Sequence, residues 1–312
     1  MEIITQSGKY EDLVSFNKET CRFNNIQNST DFSKKLSKPL SVIFQITRRC
    51  HFSCIFCSES EQMQDPSIEE IEMIKANLLG VNRIFLSGGE PLIRKDFPEI
   101  LDIFSDEFII GVPTNAIASP KLMPHIIEKV DFVNIGLDGP RNITSKIRGD
   151  YELIMNGAYS FKEAGVPLSI TSVVLRSTVD SILYTCQIAD TLEARKIKLI
   201  IPIKKGNALE ISDNEYLTHD ECIPIFNSIK EQKNKLGWRP EITFTTWKKE
   251  NEGYSILVYP DGSTYAWPVY HTEDKTLYLG NVKNEKIEAI WERYPYKDNH
   301  IQKYVGDGVL KC

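Results

Sequence analysis

The segment Thr47-Arg-Arg-Cys50-His-Phe-Ser-Cys54-Ile-Phe-Cys57 places three cysteines on one short stretch of chain. The apolar run Val42-Ile-Phe-Gln-Ile46 comes just before it and predicts a buried strand, so the cysteines lie on the loop that leaves the C-terminal end of that strand. Three thiolates on such a loop can converge on one soft metal centre. A structural zinc ion takes a fourth ligand, whereas a 4Fe–4S cluster can be held by three thiolates with one iron left open.

Two other interpretations of the cysteines are open: a zinc loop, or three unrelated buried thiols. His51 stands directly beside Cys50 and cannot easily turn onto the same ion, and no second cysteine pair with zinc-knuckle spacing lies nearby. The pattern therefore favours a 4Fe–4S cluster with three protein ligands.

A second motif, Ser87-Gly88-Gly89-Glu90-Pro91, ends the next predicted strand, Arg83-Ile-Phe-Leu86. Two glycines let the backbone approach a ligand closely, and an acidic residue beside exposed carbonyl groups suits an ammonium group. Alone this motif is a weak signal. It becomes a strong one because it follows the cysteines on the next strand of the chain.

Together the two motifs, with an aromatic residue just before the last cysteine, resemble the radical S-adenosylmethionine (SAM) superfamily. The resemblance implies that a 4Fe–4S cluster and SAM are the cofactors, and that a flavodoxin- or ferredoxin-type protein donates electrons. It implies three metal ligands, Cys50, Cys54 and Cys57. It also places on SAM the residues Phe56, Gly88, Gly89, Glu90 and Pro91.

From residue 39 the chain alternates predicted strands and helices through six β/α units, so the sheet should be parallel. This α/β pattern resembles the (β/α)6 partial TIM barrel of the family. Polar residues follow the third and fourth strands, where ligands sit in such sheets. These are Thr114 and Asn115, then Asp138, with Arg148 shortly after.

The segment from Asp138 to Arg148 resembles an S-x-D-G…R-G pattern of peptide-modifying relatives, in which the serine and the arginine help to hold SAM. Arginine is suited to grip a carboxylate with two hydrogen bonds. This chain has Gly136 where the serine is usual. The loop 204–208 resembles the G-x-A loop of the same relatives.

The pattern divides the chain into an N-terminal arm (1–38), the barrel (39–208) and a small α+β C-terminal extension (209–312). The extension is similar to the SPASM or twitch type, which normally binds auxiliary clusters. Cysteines are expected near Trp247 and near Trp267-Pro268, and neither place has one. A single thiol, Cys312, cannot hold a cluster. We therefore predict one cluster in the whole chain.

Composition excludes several classes of function. A net charge of −6 and a pI near 5.6 argue against nonspecific nucleic-acid binding. No apolar run approaches the roughly 20 residues of a membrane span. The N-terminus has no signal-peptide pattern, and seven cysteines, three of them on one loop, suit a reducing compartment. We expect a cytoplasmic protein without nucleic-acid or membrane partners.

The resemblance implies an enzyme that cleaves SAM reductively and abstracts a hydrogen atom from its substrate. We expect a ribosomal peptide or a natural-product intermediate as substrate. An enzyme acting on a sugar, nucleoside or other small metabolite remains open, as does a non-catalytic Fe–S redox sensor, against which the SAM motifs argue. Cys222 is the candidate hydrogen donor, although a buried structural cysteine is the competing interpretation.

Overall fold

The computed structural model describes residues 37–59, 61–246, 255–269, 277–295 and 309–312, together with the backbone of three short N-terminal strands. The strands are β1 (Ile3–Thr5), β2 (Val14–Asn17), β3 (Arg22–Asn25), β4 (Ser41–Thr47), β5 (Arg83–Gly88), β6 (Ile109–Thr114), β7 (Phe132–Gly136), β8 (Leu168–Val173), β9 (Lys196–Ile200), β10 (Glu241–Thr245), β11 (Ser255–Val258), β12 (Ser263–Ala266), β13 (Tyr278–Asn281) and β14 (Val309–Lys311). The helices are α1 (Ile68–Asn77), α2 (Phe97–Phe104), α3 (Met123–Lys129), α4 (Arg141–Ile147), α5 (Tyr151–Glu163), α6 (Ile182–Thr191), α7 (His219–Leu236) and α8 (Ile287–Trp291).

Most of the strands form one open sheet in the order β13-β12-β11-β4-β5-β6-β7-β8-β9-β10-β14. The six strands predicted from the sequence, β4 to β9, are parallel neighbours, which confirms the α/β partial-barrel prediction. β10 is parallel to β9 and β11 is parallel to β4, so the parallel part of the sheet is wider than six strands. The carboxyl ends of all these strands therefore meet at one edge.

The core lies between the sheet and its helices because alternate strand residues are apolar. Val42, Phe44 and Ile46 of β4 are fully buried and share one core with Ile71 and Ile74 of α1. Side chains of the opposite face of β4 and β11 form a separate cluster that includes two tyrosines. This alternation follows from the two-residue repeat of a strand, which sends successive side chains to opposite faces.

The first helix begins later than its sequence suggests. Asp65-Pro66 predicts a cap at Asp65 and a helix from Pro66, but α1 starts after Ser67. The Ser67 hydroxyl accepts a hydrogen bond from the Glu70 N–H, and the Glu70 carboxylate accepts one from the Ser67 N–H. This reciprocal capping box satisfies two N–H groups that no helical carbonyl can reach, so it defines the helix start.

The C-terminal third contributes strands to both sides of β4–β9. β11 lies beside β4 with Val258 opposite Phe44, and β10 lies beside β9. The sequence Pro260-Asp261-Gly262 is typical of a tight turn and predicts a β-hairpin, which is present as β11 and β12. Next to this hairpin, Val282 follows β13, and its carbonyl accepts a hydrogen bond from the Asn77 side chain of α1 at 2.8 Å. The sheet therefore continues across the boundary that the sequence predicts at residue 209.

Three further sequence expectations concern the N-terminal arm, the segment near Trp247 and the membrane. In the N-terminal arm, the runs 13–16 and 21–23 predict a small hairpin, which corresponds to β2 and β3. These two strands pair antiparallel, and β1 pairs with the other edge of β2. The segment near Trp247, where a cluster cysteine is expected, lies outside the described residues. Among the helices that are described, none has both the length and the apolar character that crossing a bilayer requires.

Candidate active site

The cysteine loop is held in place by hydrogen bonds to the end of α4 and to loop 204–208. The N–H of Ile55 donates to the carbonyl of Ile147 at 2.9 Å. Asn207 contributes two bonds, from its backbone N–H to the Cys57 carbonyl at 2.9 Å and from its side-chain Nδ2 to the Cys54 carbonyl at 3.0 Å. Sequence reasoning identified loop 204–208 but missed the support that Asn207 gives to the cysteines.

The three thiols form one electrostatic group. Cys50 is exposed, while Cys54 and Cys57 are half-buried. Burial raises the pKa of all three thiols, that of Cys54 to about 11, and the charges of neighbouring cysteines raise the pKa values of Cys50 and Cys54 further. In the described part of the chain, no three His, Cys, Asp or Glu side chains are grouped for a single metal ion. A 4Fe–4S cluster is bound differently, with each thiolate on its own iron, so the donor set fits a cluster.

The two glycines of the second motif are required by close backbone packing. Gly88 has a φ of +148°, and a Cβ there would come within 2.0 Å of the Thr47 carbonyl oxygen. A Cβ on Gly89 would come within 2.3 Å of the Arg49 carbonyl oxygen. The end of β5 thus lies directly against the start of the cysteine loop, with the Gly89 N–H bonded to the Thr47 carbonyl at 2.9 Å.

Glu90 has a fully buried carboxylate that joins the ends of β5 and β6. It accepts hydrogen bonds from the Thr114 hydroxyl at 2.8 Å, the Asn115 N–H at 2.7 Å and the Leu92 N–H at 3.0 Å. Burial raises the pKa of Glu90 to about 7. Three protein donors already occupy the carboxylate, so the structure supports a positioning role for Glu90 beside the predicted contact with SAM. Pro91 is buried and begins the short 3-10 turn that follows.

We expect Glu90→Ala to lower the stability of the protein. The change leaves two buried N–H groups without an acceptor, and each such group costs roughly 1–3 kcal/mol. Urea unfolding of the variant, with Glu99→Ala in α2 as the control, measures the effect. A variant as stable as the wild type would show that these hydrogen bonds are unimportant.

Asn115 provides a buried polar atom suited to a ligand. Its Oδ1 accepts a hydrogen bond from the Ile117 N–H at 3.0 Å, which fixes the side chain. Its Nδ2 is buried and has no hydrogen-bond partner among the described residues. A buried donor without a partner is unfavourable, so an acceptor atom of a bound molecule would stabilise this site.

Arg148 is fixed beside the cysteine loop by a bidentate ion pair. Its Nε and Nη2 donate to Asp138 at 2.6 and 3.0 Å, and the Asp138 carboxylate also accepts from the Val173 N–H at 2.7 Å. The guanidinium lies 4.8 Å from the ring centroid of Phe56, between Cys54 and Cys57 in the sequence. The structure therefore brings together three predicted SAM residues: Phe56, Asp138 and Arg148.

Gly136 makes room for this arginine. A Cβ at residue 136 would approach Arg148 Nη1 within 2.2 Å, so a side chain there requires the guanidinium to move. The absence of the usual serine is thus linked to the position of Arg148. The Arg148 guanidinium occupies the space that a serine side chain at residue 136 would need.

We expect Gly136→Ser to weaken SAM binding because the new side chain displaces Arg148. Loss of one charge-assisted contact predicts a decrease of about tenfold or more in affinity. The same serine in an Arg148→Ala background should have little additional effect, since the clash is gone. Equilibrium SAM binding to the four proteins tests this coupling. Equal effects of the serine in both backgrounds would contradict it.

Cys222 lies on the inner face of α7. It is fully buried, shares that face with Phe226 and Ile229, and has its pKa raised to about 11 by burial. This environment agrees with the structural interpretation of Cys222. Its role as a hydrogen donor stays a prediction from the sequence.

Comparison with known proteins agrees with these features. Residues 44–187 match the Radical SAM superfamily. The chain is 31% identical over 222 residues to a probable GTP 3',8-cyclase of Methanocaldococcus jannaschii, covering 63% of this chain and 68% of the relative. It is 25% identical over 300 residues to the PqqA peptide cyclase of Granulibacter bethesdensis, covering 87% of this chain and 77% of the relative.

Among solved structures, Streptococcus suis SuiB bound to its precursor peptide SuiA has the same fold. The TM-score is 0.70 at 13% identity, over 85% of this chain and 67% of that chain. The motifs, the sheet and the relatives agree. The chain belongs to the radical SAM superfamily, and it is an enzyme with a 4Fe–4S cluster and SAM as cofactors.

Proposed function

We propose that this protein generates a 5'-deoxyadenosyl radical from SAM and uses it to modify a peptide. The observation that supports the site most directly is the meeting of three segments at one edge of the sheet. The Phe56 ring on the cysteine loop contacts Arg148, and the Gly88-Gly89 strand end lies against Thr47 and Arg49. Cys50, Cys54 and Cys57 are the proposed ligands of the cluster.

Each group in the proposed site has a role that follows from its chemistry. When bound, the cluster supplies the electron that cleaves the C–S bond of SAM. Arg148, already oriented by Asp138, would bind the SAM carboxylate through N–H groups that Asp138 leaves available. The Asn115 Nδ2 would donate a hydrogen bond to another acceptor atom of SAM. Glu90 holds Thr114 and Asn115 in position rather than moving during the reaction.

A peptide substrate is supported by how far the similarity extends. The match to the PqqA peptide cyclase covers 87% of this chain, so it includes much of the C-terminal third. SuiB, whose fold is shared over 85% of the chain, was crystallised with a precursor peptide. A flavodoxin- or ferredoxin-type protein is the proposed electron donor.

A second candidate is a small phosphorylated or nucleoside metabolite. The higher identity to a probable GTP 3',8-cyclase, 31%, favours it. That match covers 63% of this chain, compared with 87% for the peptide cyclase. β11 to β13 complete the sheet beside the cysteine loop, so the C-terminal third lies close to the proposed site. Similarity in that third therefore indicates the substrate better than similarity in the barrel alone, and we prefer the peptide.

An isotope experiment separates the two substrates. The reduced holoenzyme is incubated with unlabelled SAM and an extract of the producing cells grown in heavy water, divided into a peptide fraction and a small-metabolite fraction. Hydrogen abstraction transfers deuterium into 5'-deoxyadenosine, which mass spectrometry detects. We expect the label from the peptide fraction. Label from the metabolite fraction alone would replace the peptide by the second candidate.

A further inference from the structure

We propose that four residues form a clasp that positions the cysteine loop for its cluster: Arg48, Glu59, Lys205 and Tyr259. Arg48 and Glu59 stand just before and just after the three cysteines, Lys205 is on loop 204–208, and Tyr259 follows β11 in the C-terminal third. The clasp concerns the cluster and not the substrate. It therefore does not depend on the peptide assignment.

The centre of the clasp is the Glu59 carboxylate. One oxygen lies 2.7 Å from Arg48 Nη2, and the other lies 2.6 Å from Lys205 Nζ. All three side chains are largely buried: 4% of Arg48, 9% of Glu59 and 18% of Lys205 is exposed. Buried, charge-assisted contacts of this kind fix geometry more strongly than exposed pairs.

Tyr259 connects this ion group to the C-terminal third. Its hydroxyl accepts a hydrogen bond from Lys205 Nζ at 2.8 Å. The Arg48 guanidinium lies 5.2 Å from the centroid of its ring, and Lys205 Nζ lies 5.3 Å from it. One aromatic ring thus contacts both cations, an arrangement that is favourable when the cations are desolvated.

The clasp reaches the cysteines through short paths. The Cys57 thiol donates to the Glu59 carbonyl at 3.6 Å. Next to Lys205, Gly206 lies so close to the Cys57 carbonyl that a Cβ would come within 2.7 Å of it, and Asn207 donates to that same carbonyl. Loosening Lys205 would therefore loosen the backbone that carries Cys57. The clasp also places two cations and one anion next to the proposed cluster, and local charge is one determinant of its reduction potential.

The experiment pairs each clasp variant with a control variant at a nearby residue of the same type that is not part of the clasp. Lys204 points away from the clasp, pairs with Asp213 and is 45% exposed, so Lys204→Met is the matched control for Lys205→Met. Tyr265 is the ring next to Tyr259, with centroids 5.3 Å apart, so Tyr265→Phe is the control for Tyr259→Phe. Iron release from each anaerobic holoenzyme to a chelator, EPR-monitored redox titration and thermal melting of the apoprotein are measured.

We expect Lys205→Met to release iron about tenfold faster than wild type, because it loses two charge-assisted hydrogen bonds, to Glu59 and to Tyr259. Its cluster should also have a lower reduction potential, since a cation that stabilises the reduced state is removed. Tyr259→Phe should release iron a few-fold faster, because it removes the one hydrogen bond that the Lys205 ammonium donates to the hydroxyl. Both controls should behave as wild type.

Three results would overturn the proposal. If Lys205→Met and Lys204→Met release iron at the same rate and have the same potential, Lys205 has no positioning role. If Lys205→Met does not fold, Tyr259→Phe decides, because it removes only one hydroxyl group. Equal iron release from Tyr259→Phe and Tyr265→Phe, or a lower apoprotein melting temperature with unchanged cluster properties, would reduce the clasp to a purely structural contact.

Discussion

Replacing Cys50, Cys54 and Cys57 together by alanine is expected to remove nearly all iron and all SAM cleavage. The reconstituted wild type should hold about four iron atoms per chain, as one 4Fe–4S cluster requires. The variant should hold almost none, because the other described cysteines lie on different elements: Cys186 and Cys222 are buried in helices, and Cys312 follows β14. Iron and sulfide analysis with visible absorbance measures both proteins.

The same analysis tests the prediction of a single cluster. Cys186→Ala with Cys222→Ala is the control, and its iron content should equal that of the wild type. About eight iron atoms per wild-type chain would contradict one cluster. Iron retained by the triple alanine variant would show that other ligands bind it.

Arg148→Ala is expected to have the second largest effect. It removes the partner of the Asp138 carboxylate, which is 0% exposed, and breaking a buried ion pair in this way costs about 3–5 kcal/mol of unfolding free energy. In the protein that remains folded, SAM affinity should fall by about tenfold or more, since one charge-assisted contact is lost. Urea unfolding and equilibrium SAM binding measure the two effects separately.

Arg141→Ala is the matched control. Arg141 pairs with Glu152 on the surface, where the two side chains are 70% and 50% exposed, and such pairs contribute at most about 1 kcal/mol. The control should retain wild-type stability and SAM affinity. Unchanged SAM affinity in Arg148→Ala would leave that residue with only a structural role.

The parallel strands were predictable because their signals are local. Each β/α unit has its own apolar run and helical repeat, and β4 to β9 follow that pattern. The pairing of β11 with β4 was not predictable, because it joins segments that are 214 residues apart in the sequence, as the pair Ser41 and Ser255 shows. No local sequence pattern in either segment indicates that the two strands pair. The position of Tyr259 beside Arg48 depends on that pairing, so the clasp was also beyond sequence reasoning.

For the site too, the sequence predicted the motifs but not the contacts between distant segments. The cysteines were identified from their spacing and the glycine motif from its resemblance to the family, and the structure places the Arg148 guanidinium 4.8 Å from the Phe56 ring centroid. The environment of Glu90 required the structure, because its donors come from the end of the neighbouring strand β6. The helix cap is a different case. The Ser67-to-Glu70 capping box was present in the sequence, but the adjacent Asp65-Pro66 gave a competing start signal.

The most direct test of the central claim is the formation of 5'-deoxyadenosine from SAM by the anaerobically reduced holoenzyme. Chromatography with mass detection follows the nucleoside and methionine over time, with the triple cysteine variant as the control. We predict equal amounts of both products from the wild type and none from the control. Wild-type protein that carries a full cluster and yet forms no more 5'-deoxyadenosine than the control would contradict the assignment as a SAM-cleaving enzyme.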